Sequence, residues 1–234
     1  MRKRRLLALY ALLLTLCGAA AARPLAASGE AEIPAVRYAA LTFDDGPHPG
    51  TTDRLLDGLA QRGIQATFFL IGSQAQAEPE LVRRMALAGH QVGNHTWSHV
   101  YLDRAADALE EIGRTDDLLR QLLGEGTYWL RPPYGQMSEG LEAQVSVPMV
   151  KWSVDPRDWE SRDKDKVVAA ILEAVEDNSI ILLHDIYPTS VDAALEAADI
   201  LTARGYRFVT VEELLAVNGI TPQPGVLYRT ETGP

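Results

Sequence analysis

Cysteine is almost missing from this sequence: Cys17 is the only one. It lies in a segment that reads as a targeting signal, so a chain trimmed at residue 22 would hold neither a disulfide framework nor a thiol nucleophile. Cationic side chains are also scarce, 22 Lys and Arg against 32 Asp and Glu for a net charge of −10. No Lys/Arg stripe and no repeat of aromatic and basic residues is visible, which excludes the usual means of holding a phosphate backbone, so no nucleic-acid partner is expected. The one extended apolar run, "LLALYALLLTLCGAA", has 15 residues, short of the roughly 20 that span a bilayer. There is no internal repeat and no appended binding module, and nothing here indicates an oligomeric state.

What is present begins with that run. A basic "MRKRR", the apolar stretch and the small residues before Arg23 form the three parts of a secretory signal over residues 1–22. Its removal takes four positive charges (Arg2, Lys3, Arg4, Arg5) and moves the net charge from −10 to −14. An uncleaved anchor is the alternative. Arg4-Arg5 before Leu6-Leu7 hints at a twin-arginine route, and "LTLC" resembles a lipoprotein box except that Leu16 stands where a small residue is wanted. The product is expected to be secreted, periplasmic or in the cell envelope. Residues 23–35 read as a flexible leader, 36–217 as a single catalytic domain, and 218–234 as a C-terminal tail.

From residue 36 short β-rich runs alternate with helical periods. Seven strands are predicted, at 37–43, 66–72, 90–95, 127–131, 148–154, 179–185 and 207–211. Between them lie patterns such as "TTDRLLDGLAQRG", with Leu55, Leu56 and Leu59 on one face and Gly63 as a stop. Repeated strand-helix alternation implies a parallel sheet buried on both faces, which suits the runs "TFFLI" and "IILL". Its chemistry should gather at the carboxyl ends of the strands. The polar constellations fall there: Asp44-Asp45 after the first strand, "HTWSH" after the third, "RPPYG" after the fourth, "DPRDW" after the fifth and His184-Asp185 after the sixth.

His95 and His99 are four apart, a spacing that on a helical turn puts both imidazoles on one face. With Asp45 they make a set of two histidines and one carboxylate, with open positions for water and substrate. Asp44 is then placed to act as a base and His184 as an acid. Arg131 would keep Asp44 ionised and oriented, and Asp155 or Asp158 would favour protonated His184. Trp97 and Trp129 are candidates for stacking on sugar rings, Trp129 reading better as core.

In this order, "TFDDGPHPGTT", "GNHTWSH", "RPPYG", "WSVDPRDW" and "ILLHD" closely resemble the five motifs of the polysaccharide deacetylase family, the carbohydrate esterases with a NodB homology domain. The resemblance implies an α/β fold, a distorted (β/α) barrel of seven strands related to the TIM barrel. It implies a hydrolase of N-acetyl groups on N-acetylglucosamine polymers such as chitooligosaccharide or peptidoglycan, with a glycan as partner and a divalent metal as cofactor, Zn²⁺ first and Co²⁺, Ni²⁺ or Mn²⁺ as alternatives. Carried over by motif, Asp44 becomes the base and Asp45, His95 and His99 the metal ligands. Arg131 holds Asp44, the backbone N–H of Tyr134 stabilises the oxyanion, Asp158 rather than Asp155 pairs with His184, and Trp159 and Leu182 wall the acetyl pocket. An acetylxylan esterase, a small cyclic-amide hydrolase and a glycan-binding domain without catalysis are the competing readings.

Overall fold

The computed structural model describes residues 36–229; the signal, the leader, Cys17 and residues 230–234 lie outside them. In chain order the regular elements are β1 (Arg37–Asp44), α1 (Thr51–Arg62), β2 (Thr67–Leu70), α2 (Gly72–Ala77), α3 (Pro79–Leu87), β3 (Gln91–Asn94), α4 (Ala108–Leu123), α5 (Glu139–Glu142), β4 (Met149–Val150), α6 (Asp158–Ser161), α7 (Lys164–Ala174), β5 (Ser179–His184), α8 (Pro188–Ala203), β6 (Tyr206–Phe208), α9 (Val211–Val217) and β7 (Leu227–Tyr228). No helix among the described residues is long and apolar enough to cross a membrane.

All pairings are parallel. The main sheet runs β3-β2-β1-β5, and β6 takes the amino-terminal part of β1 while β2 takes its carboxyl-terminal part. Single-residue bridges close the ring: Leu130 joins Asn94 to Met149, and Val154 joins Ile181. The result has the parallel strands that alternation implied, closed into the distorted barrel that the family resemblance implied. Each of the seven predicted strand regions takes part, though the one at 127–131 shrinks to a bridge at Leu130. Pro132-Pro133 follows at once, and proline cannot extend a ladder. Residues 218–229, read as tail, carry β7, which pairs with β4 and buries Leu227 and Tyr228.

Strand periodicity decides what faces inward. On β1, Ala39, Leu41 and Phe43 pack outward with α1, α3, α7 and α8, whereas Ala40 joins Phe69, Ile180 and the α9 residues Val211, Leu214 and Leu215 inside. Thr42 and Asp44 continue the inward column above Ala40, as Leu182 and His184 do above Ile180. In register, Asp44 stands beside His184 at the carboxyl ends of β1 and β5. The lower interior is therefore apolar and packed, and polar groups begin where the strands end.

Candidate active site

Arg131 is fully buried and carries the site's inner frame. Its Nη1 donates to Asp44 Oδ1 at 2.8 Å and to Thr42 Oγ1 at 2.7 Å, its Nη2 to the Lys151 carbonyl at 2.9 Å, and its plane lies over Phe69 at 4.1 Å. Asp44, itself 3% exposed, is thus held by Arg131 at one oxygen, while its Oδ2 has no bond to Arg131 and faces His95 Nε2 at 3.6 Å. Asp45 begins the turn past the strand with φ of 72°, a left-handed backbone, and its carboxylate meets His99 and His95. Gly46 follows, and a Cβ there would stand 2.4 Å from Asp185 Oδ1, so only glycine fits beneath this turn.

His95 and His99 do come together, with ring centroids 4.9 Å apart, but not on a helix. Residues 95–101 form no helix, and left-handed φ values at Thr96 (67°) and His99 (59°) fold the loop back on itself instead. This corrects the helical reading of their spacing. His95 Nδ1 donates to the Arg131 carbonyl at 2.7 Å, which fixes the tautomer and turns the Nε2 lone pair inward. Burial, then the neighbouring His95, pushes His99 below the usual imidazole range, favouring the neutral ring a metal requires.

These atoms fit a cation. Asp45 Oδ1 is buried with no hydrogen-bond partner, and it stands 3.3 Å from His99 Nε2 and 3.6 Å from His95 Nε2. Ligands on a tetrahedral ion at about 2.0–2.1 Å lie about 3.3 Å apart. The three donor atoms all fall within 4.8 Å of one another, two of them imidazole and one carboxylate.

Across the cavity His184 Nδ1 lies 2.9 Å from Asp158 Oδ1, and its backbone N–H donates to Asp158 Oδ2. Asp158 is fully buried at the start of α6, whereas Asp155 is occupied within its own loop by the Arg157 N–H. Burial alone would push His184 down, but the Asp158 hydrogen bond and charge, followed by Asp44 and Asp45, lift it to about 9. Its Nε2 is 4.0 Å from Asp45 Oδ2.

Asp44, Asp45, His95, His99 and His184 open into one cavity of about 550 Å³, shared with Tyr134, Trp159 and Leu182, a size typical of small-molecule sites. Trp159 is 44% exposed at its mouth and Leu182 is buried in its wall. Tyr134 holds a left-handed backbone (φ 59°) in the turn Pro133–Gly135, and its N–H has no hydrogen-bond partner among the described residues. Trp129 is core, and Trp97 has its face covered by Arg114 at 3.5 Å; neither lines the cavity. Tyr101, Trp152, Arg162 and Tyr187 do, and sequence reasoning missed them because a lone aromatic or arginine in a loop carries no pattern. Thr42 was missed too, though its place two residues before Asp44 on one strand was the available signal.

A polysaccharide deacetylase family model matches residues 32–147. The chitooligosaccharide deacetylase of a Bradyrhizobium species is 39% identical over 163 residues, 67% of this chain and 74% of that protein. The chain belongs to the polysaccharide deacetylase family. The peptidoglycan-N-acetylmuramic acid deacetylase PdaC of Bacillus subtilis is 43% identical over 77% of this chain, but the match spans only 39% of that longer protein. Among solved structures, a family 4 acetyl xylan esterase from Clostridium thermocellum in complex with a cobalt ion superposes with a TM-score of 0.78 at 32% identity, covering 84% of this chain and all of that one. The family is metal-dependent, and Asp45, His95 and His99 form a site of the matching kind here.

Proposed function

We propose that this chain hydrolyses the N-acetyl groups of N-acetylglucosamine-containing glycans, chitooligosaccharide or peptidoglycan, to a free amine and acetate, and that it works outside the cytoplasm. The observation that carries the reading is the division of labour at the end of β1: Asp44 is gripped by Arg131 while the next residue, Asp45, meets two histidines.

Asp45, His95 and His99 would hold the cation, Zn²⁺ first, with Co²⁺, Ni²⁺ and Mn²⁺ compatible with the same donors. When bound it supplies Lewis acidity, polarising the acetyl carbonyl and acidifying the attacking water. Asp44 takes the proton through Oδ2, the oxygen that Arg131 leaves free. The Tyr134 N–H donates to the acetyl oxygen as it becomes anionic, a contact that strengthens only as charge develops. Trp159 and Leu182 enclose the methyl group. His184 Nε2 then protonates the departing nitrogen while Asp158 holds the other ring nitrogen.

That last role suits an amide. An amine leaves only if it is protonated, and the Asp158 hydrogen bond and charge raise His184 toward the protonated form the role needs. Acetate release from chitooligosaccharide, peptidoglycan strands and acetylated xylan, with Zn²⁺ or Co²⁺ and after chelation, tests the reading. Metal-dependent release from an N-acetylated glycan is expected. Release from xylan alone would favour the esterase, and silence on all three with metal bound would overturn hydrolysis of glycan acetyl groups.

A further inference from the structure

Arg162 is the arginine among the residues that line the cavity, and the neighbouring Arg131 and Arg157 are already engaged. Arg131 is taken by Asp44, and Arg157 pairs with Glu160 at 2.6 Å. Arg162, at the end of α6, is different. Its Nε donates to the Trp159 carbonyl at 2.7 Å, and its guanidinium lies 3.3 Å from the centre of the Tyr187 ring. It lines the catalytic cavity. Among the described residues it has no carboxylate partner, and neither Nη atom makes a hydrogen bond.

Two anchors therefore immobilise a guanidinium and leave both of its outer nitrogens free. A planar fork fixed in this way meets a carboxylate through two parallel N–H···O bonds and loses little side-chain entropy in doing so. The surroundings make its charge notable. The chain has a net charge of −10, and Asp155 lines the same cavity, so at long range the protein repels anionic polymers. Screening confines that repulsion to about 8 Å at physiological salt, which leaves a direct contact at Arg162 in force.

Building on the deacetylase reading above, we propose that Arg162 is a specificity-determining residue that binds a carboxylate carried by the glycan close to the acetamide under attack. The preferred substrate class is then a carboxylate-bearing N-acetylated amino-sugar polymer rather than a neutral one. Asp155 works against such a substrate from the same cavity, and the fork of Arg162 has to outweigh it at contact distance.

The test compares glycan strands containing N-acetylmuramic acid with the same strands after their carboxylates have been capped as methylamides. Acetate release is measured for wild type, Arg162→Gln and Arg162→Lys. For the wild type, kcat/KM is expected to favour the free carboxylate by about 10- to 100-fold, the range of a charged hydrogen-bonded pair. The difference should sit mainly in KM and shrink with added salt. Arg162→Gln should abolish the preference, and Arg162→Lys should restore part of it. A loss of equal size on both strands in Arg162→Gln would mean that the residue only supports Trp159 and Tyr187, and would overturn the proposal. Equal kcat/KM on the two strands in the wild type would overturn it as well, leaving the deacetylase reading intact. No acetate from either strand while chitooligosaccharide is deacetylated would overturn the proposal alone, and no acetate from any of the three would overturn both.

Discussion

Replacing Arg131 with methionine keeps the bulk in the barrel and deletes the charge. The variant leaves the Asp44 carboxylate, 3% exposed, without its cation. It also strips the Lys151 carbonyl of its donor at 2.9 Å. Removing one partner of a buried ion pair costs about 3–5 kcal/mol, because the remaining charge stays desolvated. For a domain of this size, about 4 kcal/mol corresponds to a fall in Tm of roughly 8–16 °C. The assay is urea unfolding of metal-free protein, so that ligand binding does not enter the balance. Adding Asp44→Asn to Arg131→Met removes the stranded charge as well. The double variant should therefore be more stable than the sum of the single changes by about 3 kcal/mol. A cost below about 1 kcal/mol for Arg131→Met, or simple additivity in the double variant, would refute the view that this pair organises the site.

Other consequences can be checked separately. Gly46→Ala places a Cβ against Asp185 and must shift the turn that aims Asp45; affinity for Co²⁺, read by chelator competition, should fall about 10- to 100-fold, and unchanged affinity would contradict the buttress. His184→Asn should slow amide hydrolysis by about 10²–10⁴-fold yet spare an aryl acetate, whose leaving group needs no proton; equal losses on the two substrates would contradict its role as acid. His90, buried and far from the cavity, accepts the Ala66 N–H at Nδ1, and burial followed by the Arg84 charge lowers it to about 4. Its folded pKa lies below the unfolded value of about 6.5, so stability is whole above pH 6.5 and falls by up to about 3 kcal/mol towards pH 4. His90→Gln should flatten that part of the pH profile relative to wild type, as followed by thermal unfolding.

The parallel strand order and the gathering of polar residues at strand ends were legible because both rest on local pattern, whereas closure into a barrel came from the family resemblance. Two-residue periodicity on β1 puts Ala40, Thr42 and Asp44 on one face, and the break at Gly46-Pro47 marks where that face opens. What the sequence could not convey depends on backbone torsion or on distant packing. The pair His95 and His99 was found by its spacing but for the wrong reason, since Thr96 and His99 take left-handed conformations that no periodicity announces. Asp158 reaches His184 because α6 starts there and packs against β5, whereas Asp155, three residues earlier, lies in the preceding loop. β7 escaped notice because two residues between Gly225 and the chain end carry no periodicity at all. The aromatic wall at Tyr101 and Tyr187 is assembled from separate loops, so nothing in either loop marks it.

The central claim is that two adjacent aspartates perform different tasks, and Asp44→Asn tests it most directly when metal affinity and turnover are measured on the same preparation. The account expects one Zn²⁺ or Co²⁺ per chain with a Kd within about tenfold of wild type, because Asp45, His95 and His99 are intact, together with turnover reduced about 10²–10⁴-fold. Loss of the metal, or turnover within a few fold of wild type with the metal retained, would contradict it.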